Sequence, residues 1–262
     1  MAEKVTSQGV PIMNGKKPFF CVVVPMFNEE AGALRCVEAV SRALQGLNED
    51  GRLIVVEDGS EDQTGLILES LAKKWDRLFV VTHKKNMGYG KALVSGTRAA
   101  ENLGAEYILY MDSDLTNDPV DIQKFVAEMR KGTDVIKATR YSLGGGVKGV
   151  PWFRYVISKY GNLLARFLLQ LPLSDPTNGF RAIRTNLLKG IVFKENAFPI
   201  IMEELYKLSF VATSFYQIPV FLSCRSSNLR RTSFHYTPRL FYNYLRYPLR
   251  KFFDRLFKFR PV

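Results

Sequence analysis

The chain has 262 residues, 47% of them hydrophobic, with 37 Lys/Arg against 25 Asp/Glu for a net charge of +12. That is enough apolar material for one large core or two small ones. No uninterrupted apolar stretch reaches the roughly 18 residues that cross a bilayer, and residues 1–18 lack the apolar segment of a secretory signal. A spanning segment and a secretory leader are thus excluded, and 1–18 reads as a flexible tail. Cys21, Cys36 and Cys224 are far apart without metal-ligand spacing, so they read as reduced, structural thiols of a cytosolic protein.

Strand and helix signals then alternate along the chain. "FFCVVVPMFNEE" (19–30) is a β-branched run stopped by Pro25, predicting a buried parallel strand and then a helix to about Leu47. "GRLIVVEDGSEDQT" repeats the plan, with a strand at Leu53–Glu57 and a helix from about Asp62 to Trp75. A third strand in "LFVVTHKKNMGYGKA" precedes a helix from about Gly88 to Asn102. A fourth, "AEYILYMDSDLTNDP", precedes a helix from about Pro119 to Lys131, and "DVIKATR" is the fifth. Such alternation predicts an α/β fold with a mostly parallel sheet flanked by helices, whose ligands lie beyond the carboxyl ends of the strands. Those ends carry Asn28, Glu29, Glu57, Asp58, Asp112, Asp114 and Arg140, a set rich in acids.

After Arg140 the pattern changes. "YSLGGGVKG" is a glycine-rich loop, and "VPWFRYVISKYGNLLARFLLQL" has apolar residues at helical spacing. "DPTNGFRAIRT" is a turn entering a short strand, with Gly179 expected at positive φ. A helix near Ile200–Phe210 and a strand near Phe215–Ser223 follow.

Asp112-Ser-Asp114 places two carboxylates after a buried strand, where they can meet one hard divalent cation that bridges to phosphate oxygens. Asp58, in "VVEDGSEDQT", sits where it can bond a base or ribose, or serve as a turn former beside an N-cap at Ser60 or Asp62. His83 and His235 have no partner at ligand spacing and read as structural.

In order along the chain, "VVVPMFNEE", "VVEDGSEDQT", "KNMGYGKALVSG", "DSDL", "TRY…GG" and "DPTNGFRAIR" resemble family 2 glycosyltransferases of the GT-A (Rossmann-like) fold, over roughly Phe19 to Tyr247. Within that family the resemblance is to the dolichyl- and polyprenyl-phosphate sugar transferases. It implies a hexosyltransferase that uses Mg²⁺ or Mn²⁺. Pro25, Phe27, Asn28, Glu29, Asp58 and Lys91 would line the donor site, and Asp112 and Asp114 would hold the metal, Asp112 also contacting ribose. Arg140, Arg154 and Ser158 are implied holders of the acceptor phosphate or the leaving diphosphate, which suits the paired bonds of guanidinium groups. Two departures stand out. Glu57 replaces the more common first aspartate before Gly-Ser, and Thr116 stands where many relatives carry a metal-reaching Gln. Asp175 and Asn178 shape either the acceptor side or merely the turn. Glu203 and Glu204 sit where many members of the family carry a catalytic base, which a hydroxyl acceptor needs and an anionic phosphate does not.

Residues 225–262 hold ten Lys/Arg, one acid and ten aromatics, leaving +3 for the rest of the chain. Arg225, Arg230, Arg231 and Ser233 resemble a diphosphate-gripping loop, with Arg231 and Ser233 its best-matched residues. Beyond it Leu249, Phe252, Phe253, Leu256 and Phe257 recur at helical spacing opposite Arg250, Lys251, Asp254, Arg255 and Lys258, and Pro248 is expected in the first turn. A basic face beside an aromatic face predicts a helix lying on an anionic membrane, the alternative being a terminal helix docked on the catalytic core, with nucleic acid the least favoured partner.

The reading is therefore a flexible tail (1–18), a GT-A domain (19–224) and a basic aromatic segment (225–262). The chain would move a hexose, mannose before glucose, with inversion from GDP-mannose or UDP-glucose to a polyprenyl or dolichyl phosphate. It would sit peripherally on the cytoplasmic membrane face, directly or through a membrane-protein partner, with the glycine-rich loop closing over the donor. The alternatives are a transferase to a sugar hydroxyl with Glu203 or Glu204 as base, and a membrane-binding protein without turnover.

Overall fold

The computed structural model describes residues 17–223 and 238–257. The β-branched runs form strands because their side chains are covered on both faces. β1 (Phe20–Met26) and β2 (Gly51–Glu57) are buried along nearly their whole length. With β3 (Leu78–Thr82) and β4 (Tyr107–Tyr110) they form a parallel set. Helices α1 (Ala33–Gln45), α2 (Thr64–Ala72) and α3 (Tyr89–Leu103) make the crossovers. A single 3₁₀ turn, Pro119–Asp121, capped by Asp118 Oδ1 accepting from Val120 N at 3.0 Å, leads into α4 (Ile122–Arg130). β5 (Val135–Thr139) follows.

The second half of the chain completes the sheet. Its elements are β6 (Gly146–Val147), α5 (Trp152–Leu169), β7 (Arg181–Arg184), α6 (Ile200–Leu208), β8 (Phe215–Pro219), β9 (Phe221–Leu222) and α7 (Pro238–Leu256). The seven-stranded order is β3-β2-β1-β4-β7-β5-β8, and only β7 runs antiparallel to its neighbours. That reversal matters for the site. Arg181 pairs with Tyr110 and Arg184 with Tyr107. The turn that enters β7 therefore arrives at the carboxyl ends of the parallel strands, beside Asp112. One apolar cluster fills the side of the sheet covered by α3, α5, α6 and α7, and a second fills the side covered by α1, α2 and α4.

Three local expectations need correction. The terminal helix does not begin at Pro248; α7 starts ten residues earlier and carries Pro248 in its interior. Packing of α7 on α5 and α6 holds the helix through a residue that cannot donate its backbone bond. Gly179 is not at positive φ; its lack of a side chain serves a close approach described below. The glycine-rich loop contains a two-residue strand, in which Gly146 pairs with Phe221 and Val147 with Leu222.

Among the described residues no helix is long and apolar enough to cross a membrane.

Candidate active site

A cavity of about 320 Å³ lies beyond the carboxyl ends of β4 and β5, roofed by α5, α6 and α7. Its polar end carries Asp112, Thr116, Asn117, Arg140, Ser158 and Asn178. Its other end is apolar, with Leu164 and Ala165 from α5, Ile201 and Met202 from α6, and Phe241 and Leu245 from α7.

Most of these polar groups are fixed by a neighbour. Arg140 follows β5, and its Nε and Nη2 each donate to the Asp175 carboxylate at 2.7 Å while its backbone N donates to Asp175 Oδ2 at 3.0 Å. Asp175 is buried, so the pair is a desolvated, two-pronged bond of the strong kind. It turns the guanidinium toward the cavity and assigns Asp175 to holding Arg140. Tyr141, which follows Arg140, donates its hydroxyl to Ser158 Oγ at 2.7 Å, tying α5 to the end of β5. Asn162, buried on α5, accepts from Thr177 N at 3.0 Å and so fastens the same helix to the turn before β7.

Asp112 is held from two sides. The Tyr89 hydroxyl donates to its Oδ1 at 3.0 Å. A Cβ on Gly179 would come within 3.0 Å of its Oδ2, so only glycine fits without displacing one of them. Burial first, and then the Asp112 charge, push the Tyr89 hydroxyl well above its ordinary pKa, which keeps it a donor. Asp114 Oδ1 accepts from Thr116 N at 3.1 Å and Thr116 Oγ1 at 2.9 Å. Leu115 between them adopts φ 54°, a conformation costly for a branched side chain. Thr116 thus holds Asp114 directly.

Beneath the cavity lies a buried ion pair. Arg181 gives Nε to Glu204 Oε1 at 2.5 Å and Nη2 to Oε2 at 2.9 Å, and its Nη1 donates to the Gly179 carbonyl at 2.8 Å. Its guanidinium lies 4.3 Å from the centre of the Tyr110 ring. Glu203 accepts from Lys194 N and Glu195 N and pairs with Lys207. Both glutamates are engaged in holding structure.

The family model for glycosyl transferase family 2 matches residues 21–192.

The chain belongs to glycosyl transferase family 2.

Within curated proteins, this family 2 chain is similar to the dolichol-phosphate mannosyltransferase of Pyrococcus furiosus, 31% identical over 188 residues that cover 71% of this chain and 52% of that protein. It is also similar to the polyprenol monophosphomannose synthase of Mycolicibacterium smegmatis, 32% identical over 171 residues that cover 65% of this chain and 63% of that one. The chain spans from about half to just under two thirds of the length of these relatives.

Solved structures show the fold. Residues 1–349 of S. aureus TarS, in complex with UDP-GlcNAc, match with a TM-score of 0.60 at 22% identity, over 92% of this chain and 73% of that one. Glucosyl-3-phosphoglycerate synthase from Mycobacterium tuberculosis, in complex with Mn²⁺, UDP and phosphoglyceric acid, matches with 0.57 at 21%, over 82% and 72%. The architecture is that of the GT-A fold.

The residues present fit a hard divalent cation. Asp112 and Asp114 are oxygen donors, and the Oδ1 of buried Asn117, on the same loop, has no hydrogen-bond partner. Among the described residues no group of three or more His, Cys, Asp or Glu forms a complete cage. Two carboxylates completed by substrate phosphates are the usual arrangement for Mg²⁺ at phosphate-transfer sites.

Of the residues named from the sequence, Asp112, Arg140 and Ser158 meet in the cavity, and Asp114 lies two residues from Asp112 on the same loop. Arg154 shares a helix face with Ser158 but does not line the cavity. Pro25 does not stop β1 as expected but is its penultimate residue, paired with Val56, and Phe27, Asn28 and Glu29 form the loop after β1, which is stitched to the loop after β2. Asn28 N donates to Ser60 Oγ at 3.0 Å, Glu29 N to Thr64 Oγ1 at 2.8 Å, and Glu61 N to Asn28 Oδ1 at 2.9 Å. Glu57 accepts from Ser60 N at 2.5 Å and shapes that second loop. Lys91 is on the first turn of α3, away from the cavity lining. Asp58 is buried and takes up three donors, described below. Arg231 and Ser233 lie outside the described residues, as do His235 and Cys224.

Sequence reasoning missed Tyr89, Asn117 and Tyr244, which all line the cavity. Tyr89 was visible beside Lys91 in "GYGKA", and Asn117 three residues beyond the aspartate pair. Tyr244 was hidden because it belongs to the part of α7 before Pro248.

Proposed function

We propose that this family 2 chain transfers a hexose from a nucleotide-diphosphate sugar to the phosphate of a polyprenyl or dolichyl lipid. One observation carries this reading: the cavity is polar at Asp112 and Arg140 and apolar toward α5 and α7. Leu164 and Phe241 line it and are 45% and 39% exposed, so its apolar end opens to the surface. A cavity of about 320 Å³ is at the small end of the ligand sites of roughly 300–1,000 Å³ seen in proteins. It takes a phosphate head and the first units of a chain, and the rest of the lipid leaves over the helices.

The surface there suits a membrane. On α5, Trp152, Tyr160, Leu163 and Phe167 are exposed, and on α7 so are Phe253, Leu256 and its neighbour Phe257. Lys159, Arg166, Arg250 and Arg255 stand among them in solvent. Scattered apolar side chains are ordinary on a surface, but here rings meet across the two helices, Phe167 against Phe252 and Phe252 against Phe253, with bases among them, which matches an anionic bilayer face. The segment 225–262 then serves as the membrane-facing part of the enzyme, peripheral on the cytoplasmic face, while its helix α7 also completes the cavity that 19–224 mainly builds.

The reaction is a single displacement. A phosphate oxygen of the acceptor forms a bond to the anomeric carbon as the bond from that carbon to the donor's diphosphate oxygen breaks, so the configuration inverts and a nucleoside diphosphate leaves. Arg140, locked by Asp175, orients the acceptor phosphate, and Ser158 borders the same space. Asp112 and Asp114 would hold Mg²⁺ or Mn²⁺, which stabilises the charge on the leaving diphosphate. An anionic acceptor needs no general base, consistent with Glu203 and Glu204 being bound up elsewhere. The relatives named for mannose transfer favour GDP-mannose over UDP-glucose as donor.

The test supplies purified protein with Mg²⁺ or Mn²⁺, a short polyprenyl phosphate and labelled GDP-mannose or UDP-glucose, with Asp114→Ala as blank. Metal-dependent label in the organic phase supports the reading. Metal-dependent donor hydrolysis without labelled lipid would move it to a hydroxyl acceptor, and donor binding without any turnover to the non-catalytic alternative.

A further inference from the structure

The clamp around Asp58 reaches the site through α3. Asp58 Oδ1 accepts from Met87 N at 2.9 Å, and its Oδ2 from Gly88 N at 2.8 Å. His83 Nδ1 lies 2.6 Å from Asp58 Oδ1, and His83 Nε2 lies 2.8 Å from Ser95 Oγ. A carboxylate only accepts, so Nδ1 carries a proton and donates to Asp58, while Nε2 is hydrogen-bonded to the Ser95 hydroxyl. Ser95 is itself on α3. The clamp therefore grips this helix at its N-cap, Gly88, and again at Ser95, more than a turn later.

The first residue of that helix is Tyr89, whose hydroxyl reaches Asp112. Its backbone is set by Gly88, at φ 92°. A Cβ on Gly88 would come within 2.5 Å of the Asn196 carbonyl, and one on Gly90 within 2.3 Å of the Glu195 carbonyl. Gly90 N also donates to Asn196 O at 2.8 Å. The Tyr89 ring packs on Phe198, with centroids 4.5 Å apart. The start of α3 is thus pinned by Asp58 on one side and by the 195–198 segment on the other. The hydroxyl has one place to go.

We infer that Tyr89 is a positioning residue that fixes the Asp112 carboxylate for the metal-bound donor diphosphate, and that Asp58 and His83 act on the site through Tyr89. This rests on the reading of Asp112 as a metal and donor ligand. It gives Asp58 a role as a clamp and gives His83 a part in the site. A carboxylate at a strand end has free side-chain torsions, and holding it before the metal arrives spares the cost of ordering it.

The experiment measures Mn²⁺ binding to the full chain in the presence of GDP, and separately UDP, by electron paramagnetic resonance. Tyr89→Phe keeps the ring and its packing and removes the hydroxyl. It should weaken Mn²⁺–nucleotide binding about tenfold, the loss expected for a hydrogen bond to a charged group. In an Asp112→Ala background, where no acceptor remains for the hydroxyl, the same change should add nothing, since the two act through one contact. His83→Gln should weaken binding severalfold in the same direction, and it reads the clamp by a second route. Tyr89→Phe binding within twofold of wild type, beside a damaged Asp112→Ala, overturns the inference and leaves the reading of Asp112 standing. An equal loss from Tyr89→Phe in both backgrounds overturns it too. Unchanged binding in His83→Gln overturns the clamp. Asp112→Ala binding like wild type overturns the metal reading, and the inference with it.

Discussion

Glu204→Gln separates the two acceptor chemistries. Gln keeps the size of the side chain and removes the charge that both Arg181 Nε and Nη2 bond. Arg181 is fully buried, so the variant leaves an uncompensated guanidinium in the core, a change that costs about 3–5 kcal/mol. For a chain of this size each kcal/mol moves the melting temperature by roughly 2–4 °C, which gives a fall of roughly 6–20 °C. Turnover per folded molecule at 20 °C should stay within about twofold of wild type, because a phosphate acceptor needs no base. A general base would behave in the opposite way, losing about 10²–10⁴-fold in rate when its proton acceptor is removed. Thermal denaturation and transfer kinetics on one preparation give both numbers. A melting temperature unchanged to within a degree, with turnover down a hundredfold, would refute the structural assignment of Glu204 and favour a hydroxyl acceptor.

Other perturbations test the rest of the site. Gly179→Ala puts a Cβ 3.0 Å from Asp112 Oδ2 and 3.4 Å from the Tyr89 hydroxyl, so donor affinity measured by calorimetry should fall severalfold with little change in melting temperature. Lys137 is buried on β5 and donates to the Asn178 carbonyl at 2.7 Å. Burial first and the Arg181 charge second lower its pKa to about 7, while Glu204 and Asp175 pull the other way. Its pKa is lower folded than unfolded, so between about pH 7 and 10 the unfolded chain holds the extra proton and stability from this group rises with pH. Urea midpoints at pH 7 and 9.5 should show that rise in wild type and a smaller one in Lys137→Met; parallel behaviour would contradict the shift. Phe167→Glu combined with Phe253→Glu, both on exposed positions, should reduce cosedimentation with anionic vesicles. Wild-type binding should also weaken as salt is raised.

Much of this architecture was legible in the chain. The parallel strands announced themselves because both faces are buried and the runs are uninterruptedly apolar. The acids at their ends gave the location of Asp112, Asp114 and Arg140. The antiparallel entry of β7 was not legible, since a short strand after a turn carries no sign of its direction. Yet that reversal brings Gly179 against Asp112, Asn178 into the same cavity and Asp175 to Arg140. Gly179 looked like a residue needing positive φ, and the structure uses its missing side chain instead. Pro248 looked like a helix start because an interior proline costs about 3 kcal/mol, and packing on α5 and α6 outweighs it. The partners of Asp58 and Asp112, His83 and Tyr89, lie 25 and 23 residues away in the chain. No local spacing rule connects them.

The central claim is that the acceptor is a lipid phosphate. The direct measurement offers the protein, with metal and labelled donor, the same short prenyl chain in two forms, as the phosphate and as the free alcohol, and follows label into each product. The account predicts transfer to the phosphate and none to the alcohol, with loss of transfer in Asp114→Ala. Transfer to the alcohol, or to a soluble sugar in preference to the prenyl phosphate, would contradict it.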